Sequence, residues 1–199
     1  MTVLGHLVLW YLGLATPQSQ TNDRERRCLA RYATGKRRVA EIGLWHGVTT
    51  CRLRSVMNSD GVLLAVDPFP SGRLGFSAQR VIARREVSKI RNGAVRWMQQ
   101  SGADAGRTYA VGNGPPVDFV FIDGDHTYEG LRADWDTWAG LVAPDGLIAI
   151  HDSRSSPQRQ IDGAGSVRFT RDVVLHDRRF ELIDAVDTLT VLRRRNAAA

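Results

Sequence analysis

The side chains with the most chemical capacity fall in two short runs. One is Phe121-Ile122-Asp123-Gly124-Asp125-His126-Thr127-Tyr128-Glu129-Gly130, and the other is His151-Asp152-Ser153. Each follows an apolar, β-branched-rich run, Asp118–Ile122 (DFVFI) and Gly146–Ile150 (GLIAI) respectively. If those runs are neighbouring parallel strands, Asp123 and Asp152 stand side by side at one sheet edge. Carboxylates held that close repel unless a proton or a cation lies between them. A hard divalent ion such as Mg²⁺ would answer the repulsion, taking oxygen ligands and keeping positions for water or substrate oxygens. The plainer alternative for each aspartate is a turn or a helix cap, with Asp125 capping the helix that starts near Thr127.

A second constellation lies upstream. Glu41-Ile42-Gly43-Leu44-Trp45-His46-Gly47 follows the run Arg38–Ile42, and Thr49 and Thr50 open the next helix. Gly43 and Gly47 allow a tight turn and a close backbone approach to a ligand, with helix-end N–H groups facing it. The spacing is G-x-x-x-G, not the G-x-G-x-x-G of nicotinamide enzymes. About twenty residues on, Asp67 ends the run Val62–Val66, where a carboxylate can accept both hydroxyls of a ribose. Ser101, after the run Ala94–Trp97, could meet an adenine edge through its hydroxyl or backbone N–H.

These residues need a scaffold that brings strand ends together. The five apolar runs alternate with helical segments and lack clean period-two patterning, which suits strands covered on both faces. The clearest helix runs from about Thr127 to Leu141, with Tyr128, Leu131, Trp135, Trp138 and Leu141 on one stripe. Asn22 and Glu25 stand at N-cap and N3 spacing, so another helix begins there and stops near Gly35. Strand and helix in alternation imply an α/β, doubly wound, mostly parallel sheet with its ligand site at the carboxyl ends of the strands. Phe180–Val186 and Thr188–Leu192 are too close in sequence for a helical crossover, so they form a C-terminal antiparallel hairpin at one edge.

Composition bounds the rest. The 199 residues are 43% hydrophobic and 24% charged, which fits one globular domain over 1–199, with an apolar N-terminal helix and linker over 1–20 and a core over 22–194. Cys28 and Cys51 form no C-x-x-C pair and have no nearby histidine for zinc, which points to a reducing cytoplasm. The net charge of +6 is concentrated between Arg24 and Arg38 and between Arg73 and Arg96, whereas Asp118–Asp152 is acidic. A solvated arginine-rich surface accounts for that split, and nucleic acid is not expected as a partner. Val3–Ala15 is nearly all apolar, yet at about 13 residues it falls short of the roughly 20 that span a bilayer, and it lacks a basic flank. It reads as a helix that covers the pocket or meets a second copy in a homodimer.

Taken together, E-I-G-x-x-x-G-x-T-T, V-D-P, D-F-V-F-I-D-G-D-H-T-Y-E-G, A-P-D-G-L-I-A-I-H-D-S and the closing hairpin resemble class I S-adenosylmethionine-dependent methyltransferases. The closer likeness, over Asn22–Arg194, is to the small bacterial branch related to catechol O-methyltransferase and the sugar O-methyltransferases of antibiotic pathways. The resemblance implies a seven-stranded Rossmann-like sheet whose seventh strand is antiparallel. It implies donor contacts from Glu41, Gly43, Gly47, Asp67, Ser101 and Asp123. It also implies a metal set of Asp123, Asp152 and Ser153, although the family commonly has Asn or Asp at the third place. The family's catalytic lysine falls on His126, which leaves the identity of the base open.

The implied reaction is in-line transfer of a methyl group from S-adenosylmethionine to a hydroxyl of a small-molecule acceptor. Such a reaction needs alignment and a base, and His126 can serve as that base because an ordinary imidazole has a pKa near about 6.5. The rival readings are an RNA methyltransferase of the same fold that uses the arginine-rich helices, and a non-catalytic nucleoside-binding protein.

Overall fold

The apolar runs assemble into one sheet. The computed structural model describes residues 2–72 and 75–196, so Arg73, at the edge of one basic cluster, lies outside the described residues. Strands β1 (Arg38–Ile42), β2 (Val62–Val66), β3 (Ala94–Met98), β4 (Val117–Ile122) and β5 (Val142–Ile150) are parallel. β6 (Phe180–Val186) and β7 (Leu189–Arg194) add the antiparallel pair, giving the order β3-β2-β1-β4-β5-β7-β6. The hairpin turns through Asp187, whose φ of 52° puts it in the left-handed region.

Two boundaries differ from the expectation. β5 begins at Val142, before the A-P-D-G turn, because Val142 pairs with Val117 across a register irregularity. The helix expected to reach Leu141 ends at Trp138 and tightens into a 3₁₀ turn over Ala139–Leu141.

Period-two alternation along buried strands builds two apolar layers. Ala40, Ile42, Leu64, Val66, Val120, Ile122 and Ile148 face one side, where Leu131, Trp135 and Trp138 of α6 (Tyr128–Trp138) pack on them. Val39, Leu63, Ala65, Phe119, Phe121 and Ala149 face the other, against Cys28, Leu29 and Ala33 of α2 (Asp23–Ala33) and Leu53 of α3 (Val48–Val56). The remaining helices are α1 (Val3–Tyr11), α4 (Ala78–Ser88), α5 (Gly102–Val111) and α7 (Gly165–Asp172). α2 starts with the expected capping box: Asn22 Oδ1 accepts from the Arg24 and Glu25 N–H groups, and Glu25 Oε2 accepts from the Asn22 N–H.

The ladder does not stop at the strand ends. Gly43 N–H donates to Val66 O at 2.8 Å, Asp67 N–H to Met98 O at 3.2 Å, Asp123 N–H to Ile42 O at 2.8 Å and His151 N–H to Ile122 O at 3.0 Å. Gly43, Asp67, Asp123 and His151 are therefore held in one row along the carboxyl edge. Winding reverses between β1 and β4, where folds of this kind bind their ligands.

α1 packs along α4, where the Trp10 indole N–H donates to Glu86 Oε1 at 2.8 Å. Its buried His6 stacks on His46 with ring centroids 4.9 Å apart. Val3, Leu4, Val8, Tyr11, Leu12 and Leu14 remain in solvent, so the apolar face expected to be covered is only partly so. Among the described residues no helix is long and apolar enough to cross a membrane.

His46 Nδ1 accepts the Gln18 N–H at 3.0 Å, so the ring is held neutral. Burial and the neighbouring His6 push its pKa down from 6.5 to about 4. The stability that this ring lends to α1 docking is complete above pH 6.5 and is lost as pH falls toward 4. Hydrogen exchange should therefore show residues 2–11 losing protection over that interval ahead of α3, and equal protection of the two helices throughout would disprove the coupling.

Candidate active site

The glycine turn after β1 is shaped by what presses on it. Gly43 has φ +87°, and a Cβ there would lie 2.1 Å from the Asp123 carbonyl oxygen, so only glycine lets the ends of β1 and β4 approach this closely. Gly47, φ +75°, is the N-cap of α3, and its missing Cβ would meet Val87 Cγ2 at 2.9 Å. Asp67 locks the turn from β2: Oδ2 accepts from the Leu44 N–H at 2.9 Å and the Trp45 N–H at 3.3 Å, and Oδ1 accepts from the Phe69 N–H at 2.7 Å.

Around this turn opens a cavity of about 610 Å³ lined by Gly43, Asp67, Ser101, Asp123 and His126, among others. Ser101 caps α5 by accepting the Asp104 N–H, and its hydroxyl donates to Asp104 Oδ2 at 2.6 Å. Glu41, expected among the donor contacts, does not line the cavity. It is 1% exposed, and strand alternation sends its side chain to the face opposite its neighbour Ile42. Among the described residues neither of its carboxyl oxygens has a hydrogen-bond partner, and burial, followed by the charges of Asp123 and Asp67, raises its pKa well above the carboxylate range.

Beside the turn lies a charged cluster. The His151 ring is fully buried, with Nδ1 donating to Asp123 Oδ1 at 2.7 Å and Nε2 lying 3.4 Å from Glu25 Oε2. Glu25 is in turn held by the Thr188 N–H and hydroxyl, at 3.0 and 2.7 Å, and by the Asn22 N–H. Burial alone would lower the His151 pKa, but the hydrogen bond to Asp123, the Glu25 carboxylate beside Nε2 and the charges of Asp123 and Asp152 outweigh it and push the value to about 10. Burial would raise Glu25, yet the adjacent His151 ring and the bonds from Asn22 and Thr188 bring it down to about 2. The pair is an imidazolium facing carboxylates.

Asp152 sits at φ +48°, and its Oδ2 is 2.6 Å from Arg159 Nη2. His126 lies between the two strand-end acids, with Nε2 3.6 Å from Asp123 Oδ1 and Nδ1 3.7 Å from Asp152 Oδ2. Asp125 accepts the Thr127 N–H, while Thr127 itself caps α6, one step removed from the cap expected at Asp125.

Ser153 does not join the two aspartates. Its buried hydroxyl is committed to Ile150 O, Thr188 O and Thr190 Oγ1, at 2.8, 3.1 and 2.7 Å, because the chain after β5 packs against the hairpin. The oxygen-rich set read from the sequence is therefore not assembled, and Asp152 already faces a guanidinium. Among the described residues the group that could hold a cation is Asp123, His126 and His151, with ligand atoms within 4.8 Å of one another. Two imidazoles and one carboxylate do not suit Mg²⁺, and a protonated His151 offers no lone pair. Glu25, read only as a capping residue, and Arg159, within a polar loop, carried no sequence signal for this cluster, whereas His151 lay inside the quoted motif.

Residues 40–153 match the family described as a methyltransferase domain. The chain belongs to that family. Its fold is shared with the O-methyltransferase TomG from Streptomyces achromogenes, involved in tomaymycin synthesis and solved with SAM, at a TM-score of 0.69 and 16% identity over 98% of this chain and 91% of that one. It is shared equally with an O-methyltransferase from Bacillus cereus in complex with SAH, at a TM-score of 0.67 and 17% identity over 96% of this chain and 90% of that one.

Replacing Glu25 with Gln leaves His151 short of one counter-charge in a buried site. Breaking such a pair costs about 3 to 5 kcal/mol, so Glu25→Gln should lower the unfolding free energy by that order in denaturant titrations at neutral pH. The stability carried by the raised His151 pKa is complete below pH 6.5 and lost as pH rises toward 10, and this alkaline decline should be shallower in the variant. A change within about 0.5 kcal/mol would show that the cluster is not an ion pair.

Proposed function

We propose that this protein transfers a methyl group from S-adenosylmethionine to a hydroxyl of a small-molecule acceptor. The observation that carries the reading is the row of strand ends itself, Gly43, Asp67 and Asp123 around one cavity, with His126 at its acidic side. Asp67 fixes the turn by accepting three backbone N–H bonds and keeps one lone pair, on Oδ1, for a ribose hydroxyl. Gly43 lines the cavity, whereas Gly47 does not, and the space its missing Cβ leaves is taken by Val87 of α4. S-adenosylmethionine, bound there, supplies a methyl group already activated on a sulfonium.

What remains for the chain is alignment and proton removal. His126 is 32% exposed by its side chain and faces two carboxylates without a hydrogen bond to either, so it can take a proton from an incoming hydroxyl and have the positive charge stabilised at once. Its backbone is held in place, since the Ser166 N–H donates to His126 O at 2.9 Å. Asp123 and Asp152 are balanced by His151 and Arg159, so the transfer is assigned no metal-dependent step. That reading departs from the divalent-metal assistance that the sequence resemblance implies.

Three measurements test the reading. Asp67→Ala should weaken S-adenosylhomocysteine binding by about tenfold or more in calorimetry, since a charge-assisted bond to a ribose hydroxyl contributes about 1.5 to 3 kcal/mol. His126→Ala should leave that affinity unchanged and lower turnover by about 10² to 10⁴ in an acceptor screen read by S-adenosylhomocysteine release. Turnover should survive excess chelator. Unchanged affinity in a folded Asp67→Ala protein would remove the donor assignment, and chelator inhibition would restore the metal.

A further inference from the structure

One carboxyl in the cavity is left unused by the transfer chemistry. Asp134 stands on α6 with 5% of its surface exposed, yet it lines the cavity beside Ser101, Gly102, Ala103 and Ala133. The fold makes room for it on two sides. A Cβ on Gly102 would lie 2.2 Å from Asp134 Oδ1, and one on Gly124 would lie 3.3 Å from Oδ2. The loops after β3 and β4 both present bare backbone to this one side chain. Among the described residues no Lys, Arg or His is paired with it.

Its surroundings favour the neutral acid. Burial and the charge of Asp125, the acid facing it from the β4–α6 loop, raise its pKa from 3.8 to about 7, only partly offset by the Ala103 N–H at the start of α5. β1 contributes no charge, only the Ile42 methyl beside Gly102 and Gly124. A neutral carboxyl donates one hydrogen bond and accepts another side by side.

This inference rests on the donor reading above. With the ribose at Asp67 and the reacting end toward His126, the wall left for the base runs over Val66 and Pro68 to Ser101, Ala103 and Ala133, and Asp134 is the carboxyl on it. We propose that Asp134 recognises the adenine of the methyl donor at its Watson–Crick edge, its O–H donating to N1 and its carbonyl oxygen accepting from the N6 amino group. An ionised carboxylate would set lone pairs against N1 and forfeit one of the two bonds. Gly102 is then a specificity residue by omission, because a side chain there would displace the carboxyl that reads the base, while one at Gly124 would crowd it.

Calorimetry on the whole protein with S-adenosylhomocysteine and its 1-deaza analogue, which lacks the N1 acceptor, tests this. The wild type should prefer the adenine ligand by about tenfold at about pH 6, with a smaller preference at about pH 8. Asp134→Asn keeps one donor and one acceptor and should retain the preference while losing its pH dependence. Asp134→Leu should bind both ligands alike. Equal binding of the two ligands by the wild type overturns the proposal without needing any variant, as does a folded Asp134→Leu protein that still discriminates. Absence of S-adenosylhomocysteine binding by the wild type overturns the donor reading and this inference with it.

Discussion

The buried His151 imidazolium is the interaction on which the site's architecture depends. Three acids, Glu25, Asp123 and Asp152, converge from α2, β4 and the end of β5, and each lies within 4 Å of that one ring. Without its charge the strand ends would have to separate or take up protons. With it, α2 and the hairpin turn are tied to the sheet edge through Glu25 and Thr188. The ring is at once the counter-ion of the cluster and the pin that holds Asp123 beside the glycine turn. A buried pair of this kind adds little net stability over an apolar replacement, but losing one member is costly, so its value here lies in geometry.

The cavity depends on absent atoms as much as on present ones. Gly43 lets the β4 carbonyl come within a distance that no Cβ would tolerate, and Gly102 surrenders its side-chain space to Asp134. The polar groups of the pocket are thus delivered from neighbouring elements onto bare backbone: Asp67 from β2 onto the turn after β1, and Asp134 from α6 onto the start of α5. Short buried strands can supply only one outward residue at each end, which is why the second contributor must come from elsewhere.

Most of this was legible where chemistry coincided with strand ends. Gly43, Gly47, Asp67, Asp123, His126 and Asp152 all sit within a few residues of an apolar run, so locating the run located the residue. Ser101 was found by the same logic and serves first as a helix cap. What escaped was whatever tertiary folding brings from a distance. Asp134 stands three residues after Leu131 and four before Trp138, within the buried face of α6, but as a carboxylate it looks like a solvated position; Glu25 reads as a capping box and nothing more, and Arg159 lies in a loop without periodicity. Ser153 and Glu41 were misjudged for a different reason. Adjacency to a functional residue along a chain that alternates or turns sharply does not imply a shared direction, and both side chains face away from the cavity.

The loop after β5 joins two functions that sequence reading keeps apart. It carries Arg159 to Asp152, and it ends in the start of α7, where the Ser166 hydroxyl donates to Asp152 O at 2.6 Å and its N–H bonds the backbone of His126. Gly165 completes the contact, since a Cβ there would lie 2.2 Å from the Tyr128 nitrogen at the start of α6. The segment that balances the charge of Asp152 is therefore the same one that sets the position of His126. A change in this loop must preserve Arg159 and the Ser166 anchor, or it alters the field and placement of His126. On the proposed reading, a change in the loop after β5 is felt at the base, because the backbone at residues 152 and 126 is joined through Ser166.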